Sequence, residues 1–161
     1  MNPATRAPAA RAAWLRAAVV LAVVLAADQL LKALVTGALA RGEQRDLVAF
    51  AKLVNTRNSG VAFGQLQNGG VIVSVVIAIA LTAVVVFFAR NARRPLVWLP
   101  TGMLLGGAMG NITDRVREGA VVDFLKLPHW PAFNLADASI TTGVVILFAV
   151  IERGNRAADR S

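Results

Sequence analysis

Apolar and polar residues alternate along this chain in long blocks. Four blocks are apolar: Ala17–Thr36, Gly70–Ala89, Leu96–Ile112 and Leu135–Ile151. A helix rises 1.5 Å per residue, so about 20 residues cover about 30 Å, the hydrocarbon depth of a bilayer. Each block therefore predicts a membrane-spanning helix. Within the third, Gly102, Gly106 and Gly110 recur every four residues, a side-chain-free face that a neighbouring helix can approach closely. Residues 37–69 form a mixed polar loop. Its RDLVAFAKLVNT segment, Arg45–Thr56, is rich in strand formers with partial alternation and predicts a short curved sheet. NSGVAFG follows at Asn58–Gly64, where two glycines and an Asn permit tight turns and Val61 and Phe63 can dip into a membrane interface. Met1–Arg16 is expected to be disordered at its start. A cleavable signal peptide, with Arg6, Arg11 and Arg16 as its basic region and Ala17–Ala27 as its core, is the alternative for the first block. The periodicity continuing past Asp28 favours an anchor.

Composition agrees with the block pattern. Hydrophobic residues make up 57% and charged residues 16%, with mean hydropathy +0.61. A soluble domain of this size has too little interior for that much Ala, Val, Leu and Ile. The expected fold is an all-α membrane protein: one domain over residues 1–161, with four transmembrane helices and a small extracytoplasmic β-like cradle. The net charge of +8 raises nucleic acid as a partner, but the basic residues cluster at the ends of apolar runs and form no continuous stripe. Three Arg each fall in the N-terminus, the Arg90–Pro95 turn and the tail. The two other connections hold four and three basic residues spread over longer loops. The denser side is expected to be cytoplasmic, with both termini inside and the acid-bearing loops outside. Trp14, Trp98 and Trp130 fall near the expected interfaces.

With no Cys and one His (His129), disulfides, thiol catalysis and a His- or Cys-rich metal site are excluded; an all-carboxylate metal site stays open. Ser59, Ser74 and Ser139 have no obvious Lys or His partner in sequence. The acids are more informative. Asp28 and Lys32 sit four apart in the first helix, acid first, the favoured order for a helical pair. Asp28 lies beyond the bilayer middle, so the pair must face protein or water. Four of the nine acidic residues fall in Gly110–Ile140, the run joining the last two apolar blocks. In FNLADAS, Asn134 is placed as N-cap of the fourth helix with Asp137 as its third residue. That is either a capping arrangement alone or a carboxylate held ionised by the helix N-terminus. Asp123 follows Ala120-Val121-Val122 and precedes Phe124, a setting that favours the neutral acid. Two carboxyls that differ in proton affinity are what an acid/base pair needs.

Five blocks occur in order: D-Q-x-x-K (Asp28–Lys32), N-x-G-x-A-F (Asn58–Phe63), G-N-x-x-D-R (Gly110–Arg115), V-V-D-F (Val121–Phe124) and F-N-x-A-D (Phe133–Asp137). Together they resemble the lipoprotein signal peptidase family, also called signal peptidase II, from Asp28 to about Ile140. The resemblance implies a multi-pass aspartyl endopeptidase of the bacterial cytoplasmic (inner) membrane, with its site near the outer face. Such an enzyme removes the signal peptide of a prolipoprotein on the N-terminal side of a diacylglyceryl-modified Cys. It implies Asp123 and Asp137 as the catalytic pair. Asn58, Gly60, Asn111, Arg115 and Asn134 would line or order the substrate site, with Asp114 supporting the same polar cluster. Asp28 and Lys32 match the family's first-helix pair, in a structural role. Lipid-modified prolipoproteins and membrane lipids are the implied partners, a monomer the implied state, and neither metal, nucleotide nor nucleic acid is required.

Two other classes compete. A small transporter or channel subunit would use Asp28, Lys32 and Asp114 as an ion path. A non-catalytic scaffold would use the glycine face to dock a partner helix. Both predict that Asp123 and Asp137 tolerate replacement by Asn.

Overall fold

A computed structural model describes residues 3–59 and 69–158. The first helix, α1, spans Pro3–Ala38. The expected disordered start is therefore helical from Pro3: its Ala, Arg and Leu are strong helix formers, so the helix continues past the apolar block. Trp14 at this end meets Phe88 edge-on, ring centroids 4.6 Å apart, in a cluster with Ala13, Ala17, Ala92 and Val97. The Arg16 guanidinium lies 5.8 Å over the Trp98 ring, a cation–π contact at the same end.

The other helices are α2 (Gly69–Asn91), α3 (Trp98–Glu118) and α4 (Leu135–Ala158). Two described segments are long and apolar enough to cross a membrane, Ala9–Ala38 and Leu135–Arg156, and Val75–Asn91 is a shorter apolar helix. The outward faces point to the same solvent. Leu15, Val19, Val23 and Leu30 on α1, Ile79 on α2, and Val145 and Phe148 on α4 are all exposed. An apolar exterior of that extent is what a lipid-facing surface requires.

α3 is the central helix. It packs against both α1 and α4, and its glycines explain how. A Cβ on Gly102 would stand 2.6 Å from the Ala17 carbonyl oxygen, and one on Gly106 would stand 2.8 Å from that of Leu21. Gly107, which the four-residue spacing does not pick out, faces the other way, 2.5 Å from the Ala136 oxygen. Close approach on two sides lets α3 bring the polar groups of its last turns against both neighbours. That also accounts for α3 running to Glu118, beyond the apolar block ending at Ile112: Asn111 and Asp114 are buried there.

A three-stranded antiparallel sheet sits on this end of the bundle, in the order β1-β2-β3. β1 is Gln44–Val48 and β2 is Ala51–Asn58, so the expected strand segment is a hairpin turning at Ala49-Phe50. β3, Val121–Lys126, was not foreseen. Its first four residues are buried, which leaves no alternation to read. Thr56 stands opposite Asp123 and Asn58 opposite Val121, with a register irregularity between Leu53 and Thr56 that accompanies the expected curvature. The buried Asn55 amide donates to the Leu39 carbonyl at 2.7 Å, tying the sheet to the end of α1. Val35, Leu39 and Phe124 close the apolar contact beneath it.

Candidate active site

The site is built where β3 and α4 begin. Gly119, at φ 72°, caps α3 and sends its N–H back to the Arg115 carbonyl; a left-handed residue is what this stop needs. The chain turns directly into β3, so Asp114 in α3 accepts the Val122 N–H at 3.1 Å. Asp123 follows, 2% exposed. After β3 the chain returns to pair Phe133 with Leu125 (N–H to carbonyl 2.9 Å in both directions). That pairing delivers Asn134 to the start of α4.

Asn134 joins the two candidate carboxylates. As N-cap it accepts the Asp137 N–H at 2.9 Å, and its own N–H donates to Asp137 Oδ2 at 3.4 Å, a reciprocal capping box. The capping reading of FNLAD is therefore correct, yet it does not exhaust these residues. The side-chain amide of Asn134 donates to Asp123 Oδ1 at 2.9 Å, to the Val122 carbonyl at 3.2 Å and to Asn111 Oδ1 at 3.0 Å. Asp137 Oδ1 takes the Asn111 amide at 2.7 Å, and Asp123 Oδ2 takes the Asn58 amide at 3.1 Å from the end of β2. One Asn thus touches both carboxylates, and two more hold their outer oxygens.

Behind these stands a buried ion cluster. Lys32 Nζ lies 2.7 Å from Asp28 Oδ2 and 2.7 Å from Asp114 Oδ2, and it donates to Asn111 Oδ1 at 3.2 Å. With its oxygen turned to the ammonium, Asn111 must aim its NH2 at Asp137. Asp28 Oδ1 in turn accepts the Ala136 N–H at 2.9 Å, another orphan donor of the α4 N-terminus. Among the described residues no buried side-chain nitrogen or oxygen lacks a partner.

Burial pushes the Asp123 carboxyl up to about 6. The Asn58 hydrogen bond pulls it back, the Asp137 charge pushes it further up, and Asn134 and Lys32 favour the ionised form. Desolvation outweighs the donors, the direction expected from the apolar residues around Asp123 in sequence.

Asp123, Asp137, Asn58, Asn111, Asp114, Asn134, Asp28 and Lys32 are thus brought into one connected cluster. Among the described residues the Arg115 side chain bonds no side chain of it: its guanidinium reaches the Asn111 carbonyl one turn back, at 3.5 Å. Gly60 and the rest of the expected cradle turn, with Val61 and Phe63, lie outside the described residues. Sequence reasoning passed over one member. Gln29 donates to Asp114 Oδ1 at 2.9 Å and to the Gly110 carbonyl at 3.3 Å; a Gln inside an apolar helix was its signal. Asn55, outside the cluster, holds the sheet to α1, and its Oδ1 takes the Arg57 guanidinium at 2.6 Å. Among the described residues no three acids or His stand close enough to hold a metal ion.

This bundle of apolar helices around a buried acidic cluster is a fold shared with solved structures of a membrane enzyme. Two structures of a bacterial membrane enzyme obtained by the in meso method align with TM-scores of 0.78 and 0.76, each at 29% identity. They cover 84% and 87% of this chain and 91% and 90% of their own. The family model for signal peptidase (SPase) II matches residues 20–152, and the chain belongs to that family of proteases. Relatives named lipoprotein signal peptidase include one from Moorella thermoacetica, 42% identical over 77% of this chain and 84% of the relative. Another, from Syntrophotalea carbinolica, is 44% identical over 77% and 83%. A third, from Halothermothrix orenii, is 31% identical over 84% and 94%.

Proposed function

We propose that this chain is an intramembrane aspartyl endopeptidase that removes signal peptides from diacylglyceryl-modified prolipoproteins, cutting N-terminal to the lipidated Cys. One observation carries the reading: Asn134 hydrogen-bonds Asp123 and Asp137 together. Asp137, with an oxygen held by Asn111, takes a proton from a water as its oxygen attacks the scissile carbonyl carbon. Asp123, whose hold on a proton burial strengthens, gives that proton to the carbonyl oxygen. The tetrahedral intermediate then collapses, the C–N bond breaks and a proton returns to the leaving amine. The substrate's acyl chains stay in the bilayer, and the peptide enters between helices near the outer surface. All four helices span the membrane, both termini are cytoplasmic, and the protein works as a monomer. Incubating detergent-solubilised protein with lipidated and unlipidated forms of one pre-lipoprotein tests the reading. Cleavage of the lipidated form alone is expected, and cleavage of neither or of both overturns it.

The pH profile follows from Asp123. The working pair holds one proton, which the free enzyme loses above about pH 6. kcat/KM is therefore expected to fall as pH rises through about 6. That limb belongs to the coupled pair. Bound substrate excludes water from Asp123, so the basic limb of kcat should lie at higher pH than that of kcat/KM. A kcat/KM flat from pH 5 to 8 would remove Asp123 as the proton donor.

The orientation is tested in a chain that has no Cys. Asp46 in the hairpin and Arg93 in the α2–α3 turn are both exposed. In intact cells Asp46→Cys should react with a membrane-impermeant thiol reagent and Arg93→Cys should not. The opposite pattern would invert the topology.

A further inference from the structure

Arg153 lies about 24 Å along α4 from Asp137 at 1.5 Å per residue. At this far end the α2–α3 turn meets the last turns of α4 around a cleft of about 490 Å3. Pro95, Leu96 and Val150 give it an apolar wall, and Arg94 and Arg153 stand at it beside Gly154. The Arg94 guanidinium lies over Gly154, 4.0 Å from where a Cβ would stand. Neither arginine pairs with a carboxylate among the described residues, and the neighbouring Glu152 is taken by Arg156. Leu96 holds a left-handed backbone at φ 63° and stays half exposed. The exposed faces of Val145 and Phe148 lie one to two turns back along α4.

We propose that this cleft binds an anionic phospholipid, its phosphate between Arg94 and Arg153 and an acyl chain along Leu96 and Val150. Two guanidinium groups at one cleft, unpaired among the described residues, suit a phosphodiester that accepts charge-assisted hydrogen bonds from both. The apolar wall gives a soluble anion nothing to cover, whereas a lipid covers it and continues onto the exposed face of α4. Membrane-surface attraction of basic segments is general. A defined cleft adds selectivity at particular arginines. The inference rests on α2, α3 and α4 spanning the membrane and does not depend on the peptidase chemistry.

Native mass spectrometry of delipidated full-length protein tests it. Phosphatidylglycerol and phosphatidylcholine with identical acyl chains are added separately, and free glycerol phosphate serves as competitor. One phosphatidylglycerol should bind more tightly than phosphatidylcholine and resist the competitor. Arg94→Gln/Arg153→Gln should weaken it by about a hundredfold, about tenfold for each lost charge-assisted hydrogen bond. Arg90→Gln/Arg93→Gln removes the same total charge at the same end of the bundle, outside the cleft, and should leave binding unchanged. Equal weakening in both variants, equal binding of the two lipids, or displacement by free glycerol phosphate would each overturn the proposal. Should the first variant not fold, Arg153→Gln alone serves, with the same direction expected. Cleavage of the lipidated pre-lipoprotein is followed in the same samples. Selective lipid binding by protein that cleaves nothing would count against the peptidase reading alone.

Discussion

Asp123→Asn and Asp137→Asn are each expected to reduce kcat/KM by about a thousandfold or more, because neither new amide can exchange a proton with substrate or water. The double variant should lose little beyond either single one, since groups acting as a unit are not additive. Both variants also disturb the fold. Asp123 accepts one amide from Asn134 and one from Asn58. Asn134 is fixed by its cap on Asp137, so Asp123→Asn keeps its oxygen toward Asn134 and sets its new NH2 against the Asn58 amide, at a cost of about 1 kcal/mol. Asp137 accepts from Asn111 and from the Asn134 N–H. Lys32 and the Asn134 amide hold the Asn111 oxygen, so Asn111 cannot turn. Asp137→Asn must then give up one bond, the longer one to the Asn134 N–H, at a cost of about 1 kcal/mol. Substantial cleavage by either folded variant would sink the aspartyl mechanism.

Long-range organisation was legible in this sequence wherever a single residue property repeated. Long apolar blocks located the four helices. FNLAD located the start of α4, because an Asn followed three residues later by an acid has few other structural uses. The pair Asp28–Lys32 was legible as a pair, since a membrane helix cannot leave either charge alone. Its reach was not: Asp28 capping the α4 N-terminus joins residues 108 apart, and no local pattern encodes that. β3 escaped because a strand buried on both faces looks like any short apolar run. Gly107 escaped because α3 packs on two sides, and a search for one glycine face finds only one. Arg115 shows the converse. It belongs to the block that matches the family, yet among the described residues its side chain reaches only the Asn111 carbonyl of its own helix.

Lys32→Met should cost about 3–5 kcal/mol of stability, because it leaves the buried Asp28 and Asp114 carboxylates facing each other without their shared cation. Met keeps the length of the stem, so the loss reports charge and not a cavity. A second effect concerns Asn111. Without the ammonium its oxygen keeps only the Asn134 amide, and its NH2 is no longer bound to face Asp137. kcat should therefore fall further than stability alone explains, with KM little changed. Adding Asp28→Asn separates the two roles. The new side chain can still accept the Ala136 N–H, while the like-charge repulsion is gone, so Lys32→Met/Asp28→Asn should recover part of the stability measured by denaturant unfolding in detergent. It should not recover kcat, since Asn111 remains unanchored. Recovery of kcat together with stability would reduce Lys32 to a structural counter-ion. Lys32→Met within about 1 kcal/mol of wild type, the worth of an exposed pair, would contradict the buried cluster itself.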